Sequence, residues 1–201
     1  MAAKPRWPWL GIAAVAVVAL GTVWSFDGAA ASPRAANPRP RATAMSSSSV
    51  AGSRSRFIHL ASQSSNSCTL EATVIERMPD RMRLQGSCCT PMNWAAYRGQ
   101  VRGLHTYLGV PQIPKDPYDI PVALAKRLLA YDRTISLQPA QAGVYQQAMR
   151  SSREKGPCCC HCWRWNAFAG LSKYLIADRA WRAGAVAALI GLLDGCGGPT
   201  G

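Results

Sequence analysis

The stretch PCCCHCWRWNAFAGLSKYLIA, residues 157–177, sets four cysteines and a histidine directly before an apolar helical pattern. Phe168, Leu171, Leu175 and Ile176 recur at the spacing of one helix face, which predicts a helix from about Trp163 to Ala177. Working outward, proline sits just inside each apparent helix start, where its missing N–H costs nothing. Thr90 and Pro91 open a predicted helix carrying Trp94, Ala95, Val101, Leu104 and Leu108, stopped by Gly109 and Pro111. Pro121 opens a second, to about Ala130, with Val122, Leu124, Ala125, Leu128 and Leu129 on its core face. Pro139 opens a third through Val144, Tyr145 and Ala148, broken between Arg150 and Gly156. An Ala-rich fifth runs from Gly184 to Leu193 and ends at Gly195-Cys196-Gly197-Gly198. Weak alternation over residues 69–85 (Leu70, Ala72, Val74, then Met82 and Leu84) around Met78-Pro79-Asp80-Arg81 predicts a small β-hairpin. The fold class is therefore mainly α: a compact five-helix, Cys-rich domain over residues 57–201 with a small hairpin, large enough to bury one core.

Two other segments precede it. Residues 1–31 begin with Lys4 and Arg6, continue through an uncharged run from Trp7 to Phe26, and end in Ala29-Ala30-Ala31. That pattern fits a secretory signal peptide cut before Ser32, and equally a retained transmembrane anchor with Trp7, Trp9 and Trp24 at the interfaces. Both readings export the rest of the chain, leaving the domain secreted or membrane-anchored outside the cytoplasm. Residues 32–56 are rich in Ser, Pro and Arg and read as a disordered linker. Arg34, Arg39, Arg41, Arg54 and Arg56 could draw this linker to anionic lipid or an anionic envelope polymer. The chain has 201 residues and a net charge of +13. Charge alone would suit nucleic acid, but an exported chain rarely meets it, so no nucleic-acid partner is expected.

The chemistry lies in eight cysteines. There is no Gly-rich phosphate loop, no nucleophile elbow and no paired histidine on a helix, so no reaction or catalytic residue is assigned. Cys88-Cys89 and Cys158-Cys159-Cys160-His161-Cys162 each fall at the mouth of a predicted helix. There the macrodipole favours thiolates, the form that binds metal and attacks disulfides. Cys88, Cys89, Cys158, Cys160 and Cys162 are candidate ligands, with Cys159, His161 and Met92 in reserve, for a soft ion such as copper or zinc. Neighbouring cysteines cannot close a relaxed disulfide with each other, so an oxidised chain must pair them outward. Cys68 and Cys196 are the disulfide candidates, read as one staple between the ends of the domain. His105 reads as a half-buried surface histidine rather than a ligand, and Trp163 and Trp165 either shield the cluster and fill core or form a contact surface.

Pro157, Cys158, Cys160 and Cys162 resemble the signature of the exported PCYCGC-motif proteins, with Cys159 in place of its Tyr and His161 in place of its Gly. The likeness covers about residues 139–165. It implies an extracytoplasmic, membrane-associated protein with a shared Cys site. Family members are commonly lipoproteins, whereas no cysteine stands here between the apolar run and Cys68. Three functions remain open: thiolate binding of copper or zinc, a disulfide-stapled structural or partner-binding module of the envelope without metal, and thiol–disulfide exchange. Cys159 and Cys162 have the exchange spacing, but the βαβ surroundings of such enzymes are absent.

Overall fold

The computed structural model describes residues 50–197. The expected signal or anchor, and most of the expected linker, lie outside these residues. The described part is mainly helical. Its elements are α1 (Arg54–Ala61), α2 (Ala72–Arg77), β1 (Arg83–Gln85), α3 (Trp94–Leu104), a 3-10 turn (His105–Tyr107), β2 (Asp119–Pro121), α4 (Val122–Thr134), α5 (Pro139–Ser151), α6 (Trp163–Ala177) and α7 (Ala183–Leu192). All five expected helices are present, and α1 and α2 are additional. None of the described helices is long and apolar enough to cross a membrane.

The centre is α6 packed on α4. Ten of the fifteen residues of α6 are buried, on every side of the helix, which is the condition of a core helix rather than an amphipathic surface one. Phe168, Leu171 and Leu175 of α6 join Val122, Ala125, Leu128 and Leu129 of α4 in the main core. The two axes come close at Gly170, where a Cβ would run into the Leu128 carbonyl oxygen and the Asp132 backbone. Tyr131 and Tyr174 stack at 5.0 Å along the same seam, and Lys173 Nζ lies 2.7 Å from Asp132. On its other side α6 meets α5 and α7 through Ile176, Ala148, Met149, Val186 and Ile190. A third cluster, Leu60, Tyr97, Val101 and Tyr118, joins α1 to α3.

Three local expectations differ from the structure. There is no hairpin in residues 69–85: β1 pairs antiparallel with β2, Leu84 opposite Ile120. Both of those side chains are fully buried, and a partner so distant in sequence leaves no local trace. The segment expected as the other arm is α2, because Ile75 is the residue fully buried there while Val74 is exposed. Helix α3 begins at Trp94, not Pro91, since Asn93 rather than Thr90 caps it, accepting from Ala96 N at 3.0 Å. Finally, α1 begins inside the stretch expected as linker, capped by Ser53, which accepts from Arg56 N.

Candidate metal centre

Four segments that are almost free of regular structure meet beside the N-terminus of α6. Cys68 comes from the α1–α2 connection, Cys88 and Cys89 from the β1–α3 connection, Cys158 to Cys162 from the α5–α6 connection, and Cys196 from the stretch after α7. Backbone hydrogen bonds lace them together. Cys68 N donates to Cys88 O at 3.1 Å, Cys88 N to Gly195 O at 3.0 Å, Thr90 N to Cys196 O at 3.0 Å and Asn93 N to Gly197 O at 2.9 Å. Gly197 needs its freedom here: its φ is +105°, and a Cβ would collide with Thr90. Trp163 N donates to Leu70 O at 3.0 Å, and Trp163 Nε1 to Asn66 Oδ1 at 3.0 Å. These two bonds fix the first turn of α6 against the segment carrying Cys68.

All eight cysteines thus gather in one place. Cys68 with Cys89, and Cys159 with Cys196, stand at disulfide distance; Cys88, Cys158, Cys160 and Cys162 are free thiols. The Cys160 sulfur lies 3.4 Å from Cys162, 3.6 Å from Cys68 and 3.9 Å from Cys89. That of Cys88 lies 3.5 Å from both Cys89 and Cys196. A tetrahedral zinc–thiolate site with Zn–S of about 2.3 Å sets its sulfurs about 3.8 Å apart, so these separations already fall in the range of a shared ion. Among the described residues, three groups have ligand atoms within 4.8 Å of one another and could hold a metal: Cys68, Cys88, Cys89, Cys160; then Cys89, Cys159, Cys160, Cys196; then Cys158, Cys160, Cys162.

The structure therefore brings together the expected ligands Cys88, Cys89, Cys158, Cys159, Cys160 and Cys162, and adds Cys68 and Cys196 to them. It departs from the expected Cys68–Cys196 staple: each of the two pairs with a cluster member instead. The reserve ligands stand apart. His161 is exposed, stacked on Trp165 at 4.0 Å, and belongs to none of the three groups. Met92 packs against the α1–α3 cluster instead. Cys162 is the N-cap of α6, as expected, whereas Cys88 and Cys89 lie ahead of α3 and outside the reach of its dipole.

The thiols differ in charge preference. Cys162 is held below the ordinary thiol range chiefly by the hydrogen bond it receives from Cys158. Cys158 is pushed up by donating that bond and by burial. Burial pushes Cys88 up to about 12, against the pull of Arg164. Arg164 is absent from the candidates that residue type and spacing single out. It is fully buried, forms no ion pair among the described residues, and donates only to the Pro117 and Leu193 carbonyls, at 3.0 and 2.7 Å. Its Nε has no partner, and its guanidinium lies 4.8 Å from the Phe168 ring centre. The available signal was an arginine in the first turn of a helix too apolar to supply a carboxylate. Trp165 packs against the sulfur cluster with Gly156 beneath its ring, which is the shielding role.

A separate cavity of about 590 Å³ lies among Arg56, Arg83, Lys115, Asp119 and Arg127 and is lined by no cysteine. His105 is exposed. No protein-family model, no curated protein and no solved structure matches the chain. Two cysteine pairs at disulfide distance are compatible with an oxidising, extracytoplasmic location.

Proposed function

We propose that the chain is an exported thiolate protein that binds one soft metal ion, zinc or copper(I), through Cys88, Cys158, Cys160 and Cys162. The observation that carries this reading is the convergence of Cys158, Cys160 and Cys162 within 4.8 Å while none of the three is engaged in a disulfide. Cys88 stands within the same distance of Cys160, though not of all three, and by closing on them would complete four soft donors, the number a closed tetrahedral site takes. Cys89 and Cys159, expected as ligands, are assigned instead to the pairs with Cys68 and Cys196. Export rests on the basic start and apolar run of residues 1–31 and on the two pairs, and the motif likeness to the PCYCGC proteins points the same way.

The second reading is a stapled module of the envelope, favoured by the same two pairs. A metal site needs free thiols, and a fully stapled module would consume them. Full-length protein purified without reductant or chelator should carry close to one equivalent of zinc or copper by elemental analysis. Intact mass after alkylation should then show four thiols that become reactive only when the metal is stripped. A mass lower by four disulfides, with no metal and no alkylation, would establish the stapled module. Trapping of a mixed disulfide at Cys160, which faces the Cys68–Cys89 pair, would establish exchange.

A further inference from the structure

The three donor groups are not separate sites. Cys160 belongs to all three and Cys89 to two, so eight sulfurs fill eleven ligand places. A thiolate sulfur has lone pairs to spare once bound to one ion, so Cys160 and Cys89, each shared between groups, are placed to bridge once the sulfurs now at disulfide distance separate. The two oxidised pairs block this arrangement selectively. Cys68–Cys89 removes two donors from the first group, and the two pairs together leave only Cys160 in the second. The third group contains no oxidised residue.

Resting on the metal reading above, we infer that reduction of Cys68–Cys89 and Cys159–Cys196 converts a one-ion site into a bridged thiolate cluster for three divalent soft ions, with Cys160 as the common bridge. The reductant is an external dithiol. Each disulfide takes two electrons and two protons from it and becomes two thiols, and the dithiol leaves as its own disulfide. Each entering zinc ion displaces the thiol protons of its group to solvent.

Divalent ions fit better than monovalent ones on charge. Three divalent ions neutralise six of eight thiolate charges, and three monovalent ions only three. Like charges this close disfavour one another, most of all in the third group, which is largely buried. Arg164, fully buried and packed on the Phe168 ring, adds a positive charge beside Cys88 that would favour the anionic cluster formed on reduction. The first two groups have the four thiolates of tetrahedral zinc, and the third has three, with the fourth place open to Cys88 or solvent.

The test is native mass spectrometry of the full-length chain titrated anaerobically with zinc alone, once as purified and once after dithiothreitol reduction and removal of the reductant. The expected result is one zinc in the oxidised chain and three in the reduced chain. Cys158→Ser should lower the reduced count from three to two. Cys160→Ser should disturb all three sites, with circular dichroism checking that the helices persist. Independently of folding in variants, the reduced wild-type chain loaded with cadmium-113 should show cadmium–cadmium scalar coupling, which only a bridging thiolate transmits. A reduced count below three, or three ions without coupling, overturns the bridged cluster. One zinc in both states overturns it while leaving the one-ion reading intact, and no zinc in either state overturns both.

Discussion

The seam between α4 and α6 and the sulfur corner beside it are built on opposite principles. At the seam every contact comes from a helix, the chain buries apolar side chains, and a glycine lets the backbones touch. At the corner the contributing segments have almost no regular structure, and they are held by backbone hydrogen bonds between segments and by sulfur. The seam should therefore be indifferent to redox state and metal, whereas the corner should depend on both.

Reduction breaks this comparison most severely. The two pairs are separated by 21 and 37 residues in sequence, and closing loops of those lengths is worth about 3 and about 4 kcal/mol in the unfolded-chain entropy account. Reduced and alkylated protein, without metal, should lose hydrogen-exchange protection at the amides of Cys88, Thr90 and Asn93, which bond to Gly195, Cys196 and Gly197. The amides of α4 and α6 should keep theirs. Equal loss in both regions would show that the seam leans on the corner.

Gly170→Ala attacks the seam instead. The new methyl group meets the Leu128 carbonyl oxygen and the Asp132 backbone rather than a side chain that can rotate away. It should lower the free energy of unfolding by about 3 kcal/mol in urea titrations, the upper end for overpacking. The number of reactive thiols should stay unchanged.

The same contrast explains what could be read in the sequence. Helix α6 matches its expected bounds because Phe168, Leu171 and Leu175 repeat at helical spacing, although its burial extends beyond that face to every side of the helix. Helix α5 starts at Pro139 as its proline predicts. The cysteines of residues 158–162 and 88–89 were recognisable as one site because their residue type carries the chemistry. Three things left no local signal. Cys68 and Cys196 join the site through hydrogen bonds between segments far apart in the chain, Leu84 finds Ile120 across a distant pairing, and α2 hides in an alternating run whose buried member is Ile75.

Trp163 stands at the joint between the two regions, as the first residue of α6 and the partner of Asn66. Trp163→Phe keeps most of the ring and removes the indole N–H, leaving the buried Asn66 Oδ1 without a donor. The cost should be about 1–2 kcal/mol, that of an orphaned buried acceptor. Because Asn66 Nδ2 also donates to Gly86 O at 2.9 Å, the loosening should reach the segment before Cys88. Alkylation of Cys88 in metal-free protein should become faster, while the α4 amides remain protected.

Asn93→Ala draws the boundary most finely. Its side chain caps α3 through Ala96 N, while its backbone N–H bonds to Gly197 O in the corner. Alanine removes the first function and preserves the second, so the loss should be about 1 kcal/mol, the usual worth of an N-cap. Hydrogen exchange should speed at Ala96 and stay unchanged at Cys88, whose N–H is bonded to Gly195 rather than to α3. If exchange at Cys88 rises as well, the corner draws part of its order from the start of α3. The line between a helical seam that folds by burial and a corner that folds by linkage would then have to be moved past Asn93.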